Sequence, residues 1–304
     1  MSIAVLLAKQ ILMMFLLMAV GIILYKRKMV TDQGSKELGT ILLYVVIPSV
    51  VIKTFCIEKT SEKVLELTHS FVLAAAAMLI AVVVSMVMFG KKNGVSCFSS
   101  SFSNAAFIGI PLITGTLGSE AVFYISMMIV LVNLLQWTLG VFFLTGDKSA
   151  MSVKKIITNP IVISVLIGLL IFLSGIKVPD MAITVLNTIT GMNTPLAMVV
   201  SGIYLAQANI MDMLKRNENY LVSVCRLLII PVLTVLVLKV MPVGNTTMKM
   251  AILIACASPV GSNVAIFARQ YDKDHKMAIE QVCMSTVLCL LSLPLVAMLA
   301  SKLF

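Results

Sequence analysis

The sequence predicts an all-α polytopic membrane protein. Ten transmembrane helices form two inverted five-helix repeats, with broken crossover helices at the fourth and ninth positions. Three observations predict it. The chain is 60% hydrophobic and 12% charged, where soluble domains carry about 25% charged residues. Its apolar runs recur at roughly the 20 residues needed to cross a bilayer. Two of those runs, Ser101–Gly118 and Ala255–Tyr271, put proline, glycine and asparagine where a lipid-facing helix is uniformly apolar. Freed backbone at membrane depth survives only where it is buried in protein or lines a cavity. A pair of such breaks, one per half, points to a transporter binding site.

The first segment, 3–25, lacks a basic leader and a small-residue cleavage site, so it reads as a retained helix rather than a signal peptide. The second, 37–57, contains Pro48, and the third spans 68–89. The fourth, 95–117, opens with Ser99, Ser100, Ser101, Ser103 and Asn104, followed by Gly109, Pro111 and Gly115. The fifth, 119–144, carries Asn133 and Gln136 three residues apart, hence on one face, where they line a pathway or bond a neighbouring helix. The sixth, 160–176, is short, and the seventh, 180–208, is long and contains Pro195. The eighth, 219–240, holds Arg226. The ninth, 247–269, repeats the pattern of the fourth with Ser258, Pro259, Gly261, Ser262 and Asn263, and the tenth, 276–302, closes the chain.

Proline spacing carries the repeat. Pro48 and Pro111 are 63 residues apart, and Pro195 and Pro259 are 64 apart. The expected division is a first repeat over 1–146, a cytoplasmic linker over 147–159 and a second repeat over 160–304. Five helices per repeat is odd, so the second repeat enters the membrane inverted. Fourteen Lys and Arg residues fall in the odd-numbered connections and eight on the other side. The positive-inside rule then puts the odd connections in the cytoplasm and both termini outside the cell membrane.

The net charge of +10 is spread in short clusters between apolar runs, the pattern of topology signals rather than of a nucleic-acid surface. No G-x-x-x-x-G-K-[ST] loop is present to hold ATP, and no C-x-x-C pairs any of the six cysteines, so no cofactor or metal is expected. An intramembrane enzyme would need a nucleophile beside a base. His69 and His275 fall at segment edges, and no G-x-S-x-G occurs.

Proline lacks an N–H and clashes with the preceding turn, so the fourth helix is expected to kink or break at Pro111, with a new half-helix from about Leu112. Pro259 does the same in the ninth. If the breaks cross, two positive helix ends converge with Asn104 and Asn263, a site suited to a carboxylate. The candidate substrate-binding residues are therefore Ser103, Asn104, Gly109, Pro111, Ser258, Pro259, Gly261, Ser262 and Asn263. Arg226 has three readings: it attracts the anion, it offsets helix carbonyl ends, or it snorkels to the cytoplasmic interface.

These residues also carry a resemblance. N-x-x-F-x-G-I-P from Asn104 to Pro111 resembles the fourth helix of the auxin efflux carrier family. S-P-x-x-x-N-x-x-x-x-A-x-x-Y from Ser258 to Tyr271 is similar to its ninth, and R-L-L-I-I-P from Arg226 to Pro231 to its eighth. The likeness spans nearly the whole chain, without the long central loop of many plant members. It implies a compact prokaryotic-type member, a secondary carrier of small organic anions working by alternating access. It also implies a dimerising scaffold of helices 1, 2, 6 and 7 and a mobile unit of helices 3–5 and 8–10, with Asn104 facing the substrate. The rivals are a sodium-coupled bile-acid-type transporter, and a membrane receptor that binds without transporting.

Overall fold

The computed structural model describes residues 3–90, 93–150, 154 and 157–304, and every regular element among them is helical. Lys91, Lys92 and Lys155, which count toward the expected orientation, lie outside the described residues, as do 151–153 and 156 of the expected linker. In chain order the main helices are α1 (Ile3–Lys26), α2 (Asp32–Phe55), α3 (Ser61–Phe89), α4 (Gly94–Ser101), α5 (Ala105–Leu117) and α6 (Ser119–Thr145). There follow α7 (Pro160–Ser174), α8 (Asp180–Gln207), α9 (Asn217–Val240), α10 (Thr246–Ala257), α11 (Asn263–Gln270) and α12 (His275–Ser301). Among the described residues seven helices are long and apolar enough to cross a membrane: α1, α2, α3, α6, α8, α9 and α12. The other apolar helices, α5, α7 and α10, are shorter.

Helix starts follow local chemistry. Thr31, Thr60, Asn159, Asn245 and Asp274 each accept a first-turn N–H, opening α2, α3, α7, α10 and α12. Gly146 and Gly175 adopt a positive φ just after α6 and α7, which lets the chain leave each helix without side-chain strain.

Among the described residues three π turns precede prolines; a fourth, over Gln136–Gly140 in α6, precedes none, and Pro294 lies inside α12 without one. Pro48, Pro111 and Pro231 are each preceded by a five-residue π turn, over Leu42–Val46, Ala105–Gly109 and Cys225–Ile229. A proline inside a helix leaves the carbonyl four residues back without its donor and crowds it. The wider π turn accommodates the proline, and each helix continues through it. Of the kink or break expected at Pro111, the break is corrected, and so is the half-helix start near Leu112: α5 begins at Ala105 and runs through Pro111 behind its π turn, and the chain is interrupted earlier, at Phe102–Asn104. Pro195 lies in α8 without a π turn before it, so it does not reproduce the local structure at Pro48.

The helices form two groups of contacts that also touch each other, since α1 packs on α12 and α5, and α6 packs on α2 and α7. α1 lies along α8, where Gly21 faces the Val199 carbonyl and Gly202 faces the Met18 carbonyl so closely that neither has room for a β-carbon. Small residues allow this backbone approach where lipid supplies no hydrophobic drive between helices. α2 packs on α7, with Gly168 against the Phe55 ring. In the second group α3 contacts α4, α6, α9 and α10, and α12 contacts α9, α10 and α11. Phe55, Phe123 and Phe172 form an aromatic seam between the groups, with ring centroids 5.6–6.5 Å apart.

Candidate functional site

α4 stops at Ser101, and α5 begins at Ala105; α10 stops at Ala257, and α11 begins at Asn263. The two gaps cross antiparallel. Asn104 N–H donates to the Pro259 carbonyl at 2.8 Å, Gly261 N–H donates to the Phe102 carbonyl at 2.9 Å, and Ser103 stands opposite Val260. Val260 N–H donates to Ser285 Oγ of α12 at 3.1 Å. Backbone released from both helices is thus satisfied inside the protein, as an apolar surrounding demands. Gly261 is required by the close approach: a β-carbon there would lie 3.2 Å from the carbonyl oxygens of Phe102 and Ser103.

Asn104 ties the crossing together. Its Oδ1 accepts Phe107 N–H at 3.3 Å, capping α5, and its Nδ2 donates to Ser262 Oγ at 3.1 Å. Ser262 immediately precedes α11. Two helix starts therefore meet at one point. First-turn N–H groups have no intrahelical acceptor, and each start carries roughly half a positive charge.

The opposite ends meet at Arg226. Its Nη1 donates to the Ser100 and Ser101 carbonyls at 2.9 and 3.1 Å, and its Nη2 to the Cys256 carbonyl. Those carbonyls belong to the last turns of α4 and α10. Arg226 is 0% exposed, so it does not snorkel to the interface. It lies within the π turn of α9, on the same buried stripe as Asn219, Val222, Ile230 and Thr234.

Two recesses flank the Asn104–Ser262 pair, and both residues line each of them. The first is also lined by Ser103, Gly261 and Asn263, and by Asn133 and Gln136 of α6. Its cavity is about 30 Å³, space for a water or two, so anything larger enters only when the walls part. The second is bounded by Ser201 and Tyr204 of α8 and Thr286 of α12. Among the described residues, no lysine, arginine, aspartate, glutamate or histidine lines either recess.

Of the nine expected site residues, Ser103, Asn104, Gly261, Ser262 and Asn263 line the first recess. The other four, Gly109, Pro111, Ser258 and Pro259, line neither recess and shape the crossing instead. A β-carbon on Gly109 would press on Ser258 Oγ at 3.3 Å, and the Pro111 carbonyl accepts from Gln10 Nε2 at 3.1 Å. Asn263 Nδ2 donates to Gln136 Oε1 at 3.0 Å, so Gln136 both lines the recess and bonds a neighbouring helix. Asn133 also lines it, and its Oδ1 receives Asn159 Nδ2 at 3.4 Å. The i, i+3 spacing of Asn133 and Gln136 was the available signal for that wall. Ser201, Tyr204 and Thr286 had no comparable signal.

Apolar spans enclosing a paired helix interruption define a membrane transport protein. The chain belongs to the membrane transport protein family, which matches residues 6–297; this is the auxin efflux carrier family whose motifs the sequence resembles. An uncharacterized transporter from Methanothermobacter thermautotrophicus is 27% identical over 210 residues, 68% of this chain and 67% of that protein. The protein is a transporter resident in a membrane.

Proposed function

We propose that this transporter is a secondary carrier moving a small organic anion such as a carboxylate, by alternating access, with the substrate held at the crossing of the two interrupted helices. The observation that carries the reading is the meeting of the α5 and α11 starts at Asn104 and Ser262, beside uncharged recesses. Two helix starts contribute roughly one positive charge between them, the complement of one carboxylate. Asn104, Ser262 and Asn263 supply amide and hydroxyl donors to orient it.

The movement we propose is elevator-like, within a ten-segment inverted repeat whose fourth and ninth members are the α4–α5 and α10–α11 pairs. The grouping of α3–α6 with α9–α12 supports a mobile unit, and that of α1, α2, α7 and α8 supports a scaffold. A homodimer fits the first half of α8. Asp180–Gly191 buries no residue, and it exposes Thr184, Asn187 and Thr188 on a helix otherwise suited to a bilayer. Both termini are proposed to be extracytoplasmic, from the lysine and arginine distribution.

The test is thermal unfolding of the purified protein against dicarboxylates, monocarboxylates and indole-3-acetate. A ligand that binds only the folded state raises the midpoint by mass action. Stabilisation by one anion class, lost in Asn104→Ala, is the expected result. Indifference to every anion would remove the anion assignment.

A further inference from the structure

Arg226 is a full charge, entirely buried, with no carboxylate among its partners in the described residues. Burying an unpaired ion costs several kcal/mol even after relaxation. Its partners are instead the carbonyls of Ser100, Ser101 and Cys256, at the C-terminal ends of α4 and α10. Each helix end carries roughly half a negative charge, so two together balance about one monovalent cation. Carbonyl ends of broken helices are where carriers of this general architecture coordinate a transported sodium ion or proton.

We propose that Arg226 is a resident cation occupying the position of a coupling ion, so that this carrier binds its substrate without co-bound sodium. Arg226 lines neither recess, so it does not touch the substrate space. It is a positioning residue, acting through the carbonyl ends it joins. With those ends neutralised, the opposite starts at Asn104 and Ser262 face the recesses with their positive field unopposed. The arrangement deepens the anion-carrier reading, and its consequence for coupling rests on that reading; the charge-replacement test does not.

The test is thermal unfolding of the purified wild type, Arg226→Lys and Arg226→Ala in choline chloride, with choline replaced at constant ionic strength by millimolar sodium or guanidinium. The wild-type midpoint is expected to ignore both ions. Arg226→Ala is expected to unfold earlier and to regain most of the lost midpoint with guanidinium, since the emptied carbonyl cradle then binds a free cation. Arg226→Lys keeps a charge and is expected to fall between the two. A wild type stabilised by sodium over choline overturns the proposal. So does an Arg226→Ala protein that folds yet gains nothing from guanidinium. If the alanine variant yields no folded protein, Arg226→Lys decides: a folded lysine variant supports a charge requirement, and one as unfolded as alanine refutes it. An anion panel without response would sink the carrier reading while leaving the guanidinium rescue intact, so the two failures are distinguishable.

Discussion

Asn104 and Ser262 lie 158 residues apart in sequence and meet through a 3.1 Å hydrogen bond from Nδ2 to Oγ, each at the threshold of a half-helix. That bond couples the two interruptions, so its removal is the sharpest probe of the site. Asn104→Ala and Ser262→Ala should each weaken anion-induced stabilisation, with Asn104→Ala the more severe because it also uncaps α5. The cap itself is worth about 1 kcal/mol, so the fold survives. A double-mutant cycle on the midpoint should return a coupling of about 0.5–1.5 kcal/mol, the net worth of one hydrogen bond. Strict additivity would show that the pair does not interact.

Pro111→Ala should leave both folding and anion binding nearly intact. α5 passes through Pro111 behind its π turn, and the residue lines neither recess. Retained anion-induced stabilisation in the purified variant is the check. Loss of binding would restore Pro111 to the site.

Gly202→Val should be strongly destabilising. A β-carbon there runs into the Met18 backbone, which cannot rotate aside as a side chain does. Overpacking of this kind costs about 1–3 kcal/mol, to be read as a lower unfolding midpoint with anion binding preserved in the fraction that folds. An unchanged midpoint would mean that α1 and α8 do not pack this closely.

Asp274 gives a pH test at the edge of the helices. Burial pushes its carboxyl up, but the Met277 N–H and the Arg216 guanidinium at 2.8 Å outweigh that and hold it below the usual aspartate range. A depressed acid contributes stability above its unfolded value and loses it as pH falls through the folded one. The midpoint gap between wild type and Asp274→Asn should therefore be present near neutrality and close as pH drops through and below the ordinary carboxylate range. The effect is small, because the pair is partly exposed. A gap that stays constant with acidification would assign the effect to packing.

The paired interruptions were legible in sequence because polar and helix-breaking residues are costly at membrane depth unless their backbone is buried in protein or lines a cavity. Their position in the fourth segment was not. Proline is the visible breaker, yet the gap falls at Phe102–Asn104, where Asn104 caps the next helix through its side chain and the partner segment at Pro259–Gly261 supplies the backbone hydrogen bonds. Only the fold brings that partner near. Ser262, rather than Asn263, stands opposite Asn104 for the same reason: which residue ends the gap depends on the crossing. Arg226 was visible as a membrane-depth charge, but its partners, the carbonyls of Ser100, Ser101 and Cys256, come from distant segments that only the fold brings beside it. The α8 wall of the second recess comes from tertiary packing of residues that read as ordinary lipid-span positions.

Arg226 also has an electrical consequence. In the proposed elevator it travels with the mobile unit, and helix dipoles add no net charge, so the unit carries this buried positive unit on both strokes. A monoanion cancels it on the loaded stroke, which becomes insensitive to voltage. The unloaded stroke then moves one positive charge through the field, worth about 2.3 kcal/mol per 100 mV if it crosses the whole potential. With the interior negative, that force draws the unloaded unit inward. The membrane potential would then reset an exporter for its next load rather than push the load itself.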